Sequence, residues 1–178
     1  CRQGRGFGGQ AHAPLPFGEN SRREFAIKGV ALENLPVRLT GKLDRLDFHS
    51  AGVSVTDYKT AKPKSRKKIL EGDEYRQLLF YRLLIDHYDN GKHAMREGLI
   101  DFVEPDAKGR YKSERFDMRE EDPKKFEALV RRVVWEIMRL KFWNRTCADS
   151  KCEYCDLRAF ANSTSYRESR GRTRRRRT

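Results

Sequence analysis

A mixed α/β fold, with a central sheet flanked by helices, is what this sequence predicts, and three observations predict it. Two apolar runs joined by a Gly-containing turn, Leu39 to Phe48 and Val53 to Thr60, read as a β-hairpin. The stretch from Gly72 to Tyr88 has helical spacing and is closed by Asn90-Gly91. Two further extended runs, Glu97 to Glu104 and Arg110 to Met118, precede a second helical stretch that opens at Asp122-Pro123.

Residues 1–21 are rich in Gly, Pro and small side chains without periodicity, which predicts an irregular segment. A start at Cys1 rather than Met is what a piece of a longer chain would have. Arg22 to Leu32 reads as the first strand and Asn34-Leu-Pro36 as the turn into Leu39. After the hairpin, Ala61 to Lys68 is a basic loop carrying Lys62, Lys64, Arg66, Lys67 and Lys68. It suits either a solvated linker or contact with a phosphate backbone. Asp106-Ala-Lys-Gly109 turns between the last two strands. Asp122 suits an N-cap and Pro123 the first helical position, after which Phe126, Leu129, Val130, Val133, Val134, Ile137, Met138 and Leu140 give helical spacing toward Trp143. That helix needs no role beyond packing. One domain over residues 22–160 and a disordered Arg-rich tail over 161–178 complete the expected organisation.

The 178 residues are 37% hydrophobic and 37% charged, with a net charge of +13. No apolar run approaches the ~20 residues that span a bilayer, and no secretory signal is visible, so a cytoplasmic protein without a membrane partner is expected. The positive charge favours a polyanion, and DNA suits it better than a membrane surface because no basic amphipathic helix with an aromatic anchor face stands out. Much of the excess lies in the tail. There is no Gly-x-x-x-x-Gly-Lys-[Ser/Thr] loop, so any helicase motor is expected elsewhere in a parent polypeptide or in a partner subunit.

The chemistry concentrates in the hairpin. Alternate residues of a strand share a face, which puts Asp44 with Leu46 and Phe48, and Val53, Val55, Asp57 and Lys59 along one side of the next strand. If the apolar residues mark the core face, two carboxylates and an ammonium meet at one end of the sheet. Buried carboxylates repel each other and require a cation, and Mg²⁺, held by one or two carboxylates plus water and phosphate oxygens, is the natural one. The same residues also suit an exposed hairpin ion pair worth at most ~1 kcal/mol. On the helix that follows, Gln77 falls near the middle of the apolar arc formed by Leu78, Phe80, Tyr81, Leu83, Leu84, Ile85 and Tyr88. A glutamine there needs a polar partner. Tyr81, one turn on, shares its face.

These residues, Gly-x-x-Asp-Arg-x-Asp, then Asp-Tyr-Lys-Thr, then Gln-Leu-x-x-Tyr, resemble the RecB-like nuclease domains of the PD-(D/E)XK superfamily. Such domains occur in the AddAB helicase–nucleases, in CRISPR-associated exonucleases and at the C-terminus of UvrD-like helicases. The resemblance implies a restriction-endonuclease-like core and Mg²⁺- or Mn²⁺-dependent cleavage of DNA, exonucleolytic by kinship, in recombination or repair. It implies Asp44 and Asp57 as metal ligands, with the backbone carbonyl of Tyr58 completing the shell. Lys59 would be the catalytic lysine, and Gln77 with Tyr81 the motif of the following helix. Lys62, Lys64, Arg66 and Lys67 are then candidates for the nucleic-acid backbone. The family's upstream metal-binding histidine has only His12 as a candidate, outside a helical setting. A non-catalytic DNA-binding module of the same fold and a structure-specific endonuclease stay open as alternatives.

Cys147, Cys152 and Cys155 form a C-x4-C-x2-C cluster, and without a secretory signal a metal suits it better than a disulfide. Thiolates so spaced bind zinc or iron–sulfur. The family resemblance implies a [4Fe–4S] cluster with Cys1 as the upstream ligand, although Ala161 stands where the last cysteine of the usual run would fall.

Overall fold

The computed structural model describes residues 20–119, 123–142, 145, 147–149 and 151–160. Its elements are β1 (Ser21–Ala31), β2 (Arg38–His49), β3 (Gly52–Lys59), α1 (Arg66–Leu70), α2 (Asp73–His87), β4 (Met95–Phe102), β5 (Lys112–Asp117) and α3 (Pro123–Met138), with a 3-10 turn at Tyr88–Gly91. The five strands make one mixed sheet in the order β1-β2-β3-β4-β5. β1, β2 and β3 form an antiparallel meander. β4 runs parallel to β3, and β5 returns antiparallel to β4. A parallel neighbour requires a crossover of a dozen residues or more, and α1 with α2 supplies it. Strand and helix bounds fall within two residues of those expected for the five strands and α2. Asp122 and Trp143, the expected cap and end of α3, lie outside the described residues.

Two expectations are corrected. The basic stretch is not a loop throughout: Ser65 accepts a hydrogen bond from the Lys68 N–H and caps the short helix α1, whose Ile69 is fully buried. Nor does β2 alternate evenly along its length. Its buried residues Leu39 and Leu43 are odd-numbered and Leu46 is even-numbered, so the alternation changes phase around Asp44. Pairing with β3 begins only beyond that point, at Arg45 opposite Thr56.

α2 lies across one face of the sheet and buries Tyr75, Leu78, Tyr81, Leu83, Leu84 and Ile85 against Ile27, Leu43, Leu46, Val53, Val55, Ile100 and Phe102. Two glycines let it come close. A Cβ at Gly98 of β4 would stand 2.9 Å from Leu78 Cδ1, and one at Gly41 of β2 would run into Leu84 Cδ1. Phe126 and Val130 of α3 pack against the same core, and the Arg131 guanidinium donates to the Glu33 carbonyl. On the other face Arg45, only 5% exposed, closes on Asp47 with Nε 2.8 Å from Oδ2. The Ser21 hydroxyl also donates to Asp47.

Contacts divide the chain into two units, Cys1–Val134 and Trp135–Thr178. The first holds the sheet, α1, α2 and the start of α3. The second holds the end of α3, the cysteine segment and a helix over 153–160. Among the described residues no helix is long and apolar enough to cross a membrane.

Gly41→Val is expected to destabilise the protein by about 1–3 kcal/mol through overpacking against Leu84. Leu84→Ala alone should cost roughly 2–5 kcal/mol, and the double variant less than the sum of the two, because the valine fills the space that the leucine vacates. Chemical denaturation of the three variants measures the coupling, and strict additivity would contradict the close approach.

Candidate metal centre

The centre forms where β2, β3 and the first half of α2 meet. Extending the β2–β3 register by one step from Arg45–Thr56 sets Asp44 opposite Asp57. Asp44 does not lie idle on the strand: its Oδ2 accepts the backbone N–H of Tyr58 at 2.9 Å, which turns the carboxylate toward the end of β3. Asp57 is 1% exposed. Its Oδ1 accepts the Tyr81 hydroxyl at 3.3 Å. Its Oδ2 lies 2.6 Å from Lys59 Nζ as an ion pair, and no other donor reaches that buried oxygen among the described residues.

α2 completes the ring of contacts. Lys59 Nζ donates to Gln77 Oε1 at 2.6 Å, and the Gln77 amide nitrogen donates to the Tyr81 hydroxyl. Lys59, Gln77, Tyr81 and Asp57 thus form one chain of polar contacts, and Gln77 has the partners its place on an apolar arc demands. Glu74, one turn before Gln77, belongs to the same cluster and was missed from the sequence. It is 9% exposed, receives the Lys64 ammonium on Oε1, and has no hydrogen bond to Oε2 among the described residues. The spacing 74, 77, 81, one helical face, is the signal that could have found it.

Burial sets the electrostatics. Desolvation pushes the Asp57 carboxyl above the usual carboxylate range, the Lys59 ammonium works against that, and the charge of Asp44 adds to it. Burial and the negative charge of Asp57 likewise push the Tyr81 hydroxyl well above the ordinary tyrosine range, so it stays a donor at any working pH. Burial would raise Glu74 too, but the Lys64 hydrogen bond, a backbone hydrogen bond and the charges of Lys64 and Lys59 together outweigh it and hold the carboxyl below its ordinary value. A buried carboxylate oxygen met only by the Lys59 ammonium among the described residues, beside a second carboxylate that raises its proton affinity, is a donor set suited to a hard divalent cation.

The structure therefore brings Asp44, Asp57, Lys59, Gln77 and Tyr81 together. The backbone N–H of Tyr58 is taken by Asp44, while its side chain lies among the groups that keep Arg45 charged against the cost of burial. The basic residues divide. Lys64 is held by Glu74 at the centre. Arg66 turns away from it, with its guanidinium 4.3 Å above the Phe116 ring and Nη1 bonded to Glu114 and to the Arg115 carbonyl. Lys62 and Lys67 are exposed.

In the second unit, Cys147, Cys152 and Cys155 place their sulfurs within 4.8 Å of one another, with 3.6 Å between Cys147 and Cys155. The backbone N–H of Cys155, then the neighbouring thiols, draw the Cys152 thiol below the usual range, whereas sharing a hydrogen with Cys152 raises Cys147. The three could hold a metal. Cys1 and His12 lie outside the described residues.

A mixed sheet with two carboxylates and a lysine at the end of a central strand defines a class, the restriction-endonuclease-like α/β proteins. The sequence matches the model of the PD-(D/E)XK nuclease superfamily over residues 9–160, and the chain belongs to that superfamily. Its members are generally hydrolytic nucleases that use divalent metals. No curated protein matches it in sequence. Among solved structures it is similar to SSO0001, with a TM-score of 0.44 and 15% identity, over 76% of this chain and 57% of that one.

Asp57→Asn is expected to raise the thermal midpoint of metal-free protein at neutral pH. A carboxyl whose folded pKa is raised detracts from stability above that pKa and no longer does so below its unfolded value of about 4, so the gain should shrink as the pH falls. Mn²⁺ should raise the midpoint of the wild type and leave that of Asp57→Asn unmoved. Thermal melts across pH, with and without Mn²⁺, test both; equal Mn²⁺ shifts would remove Asp57 from the metal site.

Proposed function

We propose that this chain is a Mg²⁺- or Mn²⁺-dependent deoxyribonuclease domain, RecB-like, acting on DNA ends beside a UvrD-like helicase in recombination or repair. The observation that carries the nuclease reading is the buried Asp57 carboxylate, whose Oδ2 has only the Lys59 ammonium against it among the described residues and which faces the charge of Asp44. The order and spacing of the Asp44, Asp57-Tyr-Lys59 and Gln77–Tyr81 motifs support the RecB-like assignment, and with it the helicase partner and a cytoplasmic setting.

Asp44 and Asp57 would hold the metal, which when bound supplies Lewis-acid polarisation of the phosphate and a more acidic water. The protein groups do the positioning. The Tyr58 N–H fixes the rotation of Asp44. Gln77 holds Lys59 at the mouth of the centre, where its ammonium can orient the attacking water or stabilise the charge developing on the phosphate. Tyr81 orients Asp57 through Oδ1, leaving Oδ2 for the metal. Lys64, fixed by Glu74, adds positive charge on the side where a phosphodiester would approach.

Asp44→Ala and Asp57→Ala should abolish Mg²⁺-dependent cleavage of single-stranded and end-bearing DNA, and Lys59→Ala should lower kcat by roughly 10²–10³. Undiminished cleavage by Asp57→Ala would refute the assignment. Cleavage of covalently closed circles would replace the exonuclease with an endonuclease.

For the cysteines, the resemblance supports a [4Fe–4S] cluster, but the sulfur spacing supports a single ion. A tetrahedral zinc with Zn–S of about 2.3 Å sets its sulfurs roughly 3.8 Å apart, close to the 3.6 Å between Cys147 and Cys155. Ligands of a cubane sit outside different corners and stand further apart. Protein purified anaerobically should be colourless, with stoichiometric zinc that is lost on Cys152→Ser. Iron with visible-region absorbance would establish the cluster instead.

A further inference from the structure

A cavity of about 490 Å³ opens at the other end of the strands from the metal centre. Its floor is the sheet face turned away from α2. Ser54 pairs with Glu97, and Glu97 with Asp117, on the face opposite Val55 and Gly98. Ser54 lies five residues before Lys59 along β3, roughly 16 Å at ~3.3 Å per residue. The two sites are therefore separate places on one sheet.

The walls are arginines from three different stretches: Arg66 from α1, Arg96 from β4, and Arg115 with Arg119 from β5 and the turn after it. Against these four cations the lining sets two acids, Glu97 and Asp117, which leaves a net charge of +2 with His49 neutral. The acids hold arginines in place. Glu97 receives Arg115 through Nη1 alone, at 2.7 Å to each oxygen, so Nε and Nη2 of Arg115 have no partner among the described residues. Arg96 donates only Nε, to the Ala51 carbonyl, and both its terminal nitrogens are likewise without a partner there. Glu114, which binds Arg66, also binds Lys112, so Arg66 keeps an uncompensated share of its charge. Guanidinium edges that are fixed in position, unpaired and solvent-accessible suit the tetrahedral oxygens of phosphate. The side chain of Arg115 is 64% exposed.

We infer that this cavity is a second nucleic-acid site, which holds the sugar-phosphate backbone of a DNA strand away from the centre where it is cut. Four guanidinium groups carried on α1, β4, β5 and the turn after it give several anchoring points, which suits the successive phosphates of a strand better than a single free ion. The inference takes from the proposed function only that the ligand is DNA.

The test is binding of a labelled single-stranded oligonucleotide in chelator, so that no cleavage occurs. Arg96→Gln with Arg115→Gln is compared with Lys28→Gln plus Lys108→Gln, which removes the same charge from exposed positions outside the cavity. The cavity variant should bind roughly tenfold more weakly at low salt, and the slope of log K against log salt should fall by about 1.4, at ~0.7 per lost phosphate contact. The control should move by less than half as much. If the double variant melts early, Arg115→Gln alone should lower the slope by about 0.7. Mn²⁺ stabilisation and Mg²⁺-dependent cleavage of a dinucleotide report on the metal centre and should not change. Equal affinities and slopes in cavity and control variants overturn the second site while leaving the nuclease standing. Loss of binding without any cleavage by the wild type sinks the nuclease and keeps the site. Displacement of the oligonucleotide by inorganic phosphate at matched phosphate concentration would show a free-ion site and overturn the strand.

Discussion

The carboxylate of Asp57 is the constraint around which the rest is arranged. It is withdrawn from water, faces the charge of Asp44, and has one ammonium as its counter-ion. Removing a carboxylate from water costs several kcal/mol even after relaxation, and a single lysine does not return all of it. A packed core has little reason to keep such a group when an apolar side chain would fill the same volume. A divalent cation held by the two carboxylates would offset that cost. The helix above the carboxylates follows from the same constraint, because Gln77 and Tyr81 reach Lys59 and Asp57 only if α2 lies almost on the sheet. Gly41 and Gly98 provide the clearance under its two halves.

Topology puts the centre where it is. β3 and β4 are parallel, so the chain leaves β3 at its carboxyl end and returns through α1 and α2, and the crossover begins beside Asp57 and Lys59. In open α/β sheets the carboxyl ends of parallel strands leave a crevice for ligands. α2 begins in that region with no side-chain cap at Gly72, its N-terminal dipole favours negative charge, and Glu74 in its first turn is held below its ordinary pKa with Lys64 against it. The strand carries the acids, and the crossover helix carries the groups that hold them.

The strands and α2 were legible because each is long enough for its period to show, and the placing of Asp57 and Lys59 on one side of β3 followed from counting alternate residues, whereas Asp44 sits where the alternation of β2 breaks. What was not legible depended on partners distant in sequence. α1 is too short for periodicity to reveal, and its single buried residue, Ile69, sits among lysines. The change of phase in β2 falls where a second neighbour joins it: β1 pairs with the strand from Arg38 to Asp47 and β3 only from Arg45, an added neighbour that no local pattern records. Glu74 reads as an ordinary acid at a helix start until Lys64, ten residues earlier, is seen to close on it.

The basic residues show why a count of charges does not locate a surface. Lys64 and Arg66 are two residues apart and were read alike, yet one joins the metal centre through Glu74 and the other crosses to the edge of β5 to cover Phe116 and bind the Arg115 carbonyl. Their difference lies in the acids they meet, Glu74 on α2 and Glu114 on β5. An arginine that shares its acid with Lys112 keeps charge to offer, and a lysine paired with a buried carboxylate has its charge fixed in place. The net charge of +13 sets how strongly a polyanion is drawn to the molecule as a whole, and the pairing of each cation decides where it can be held.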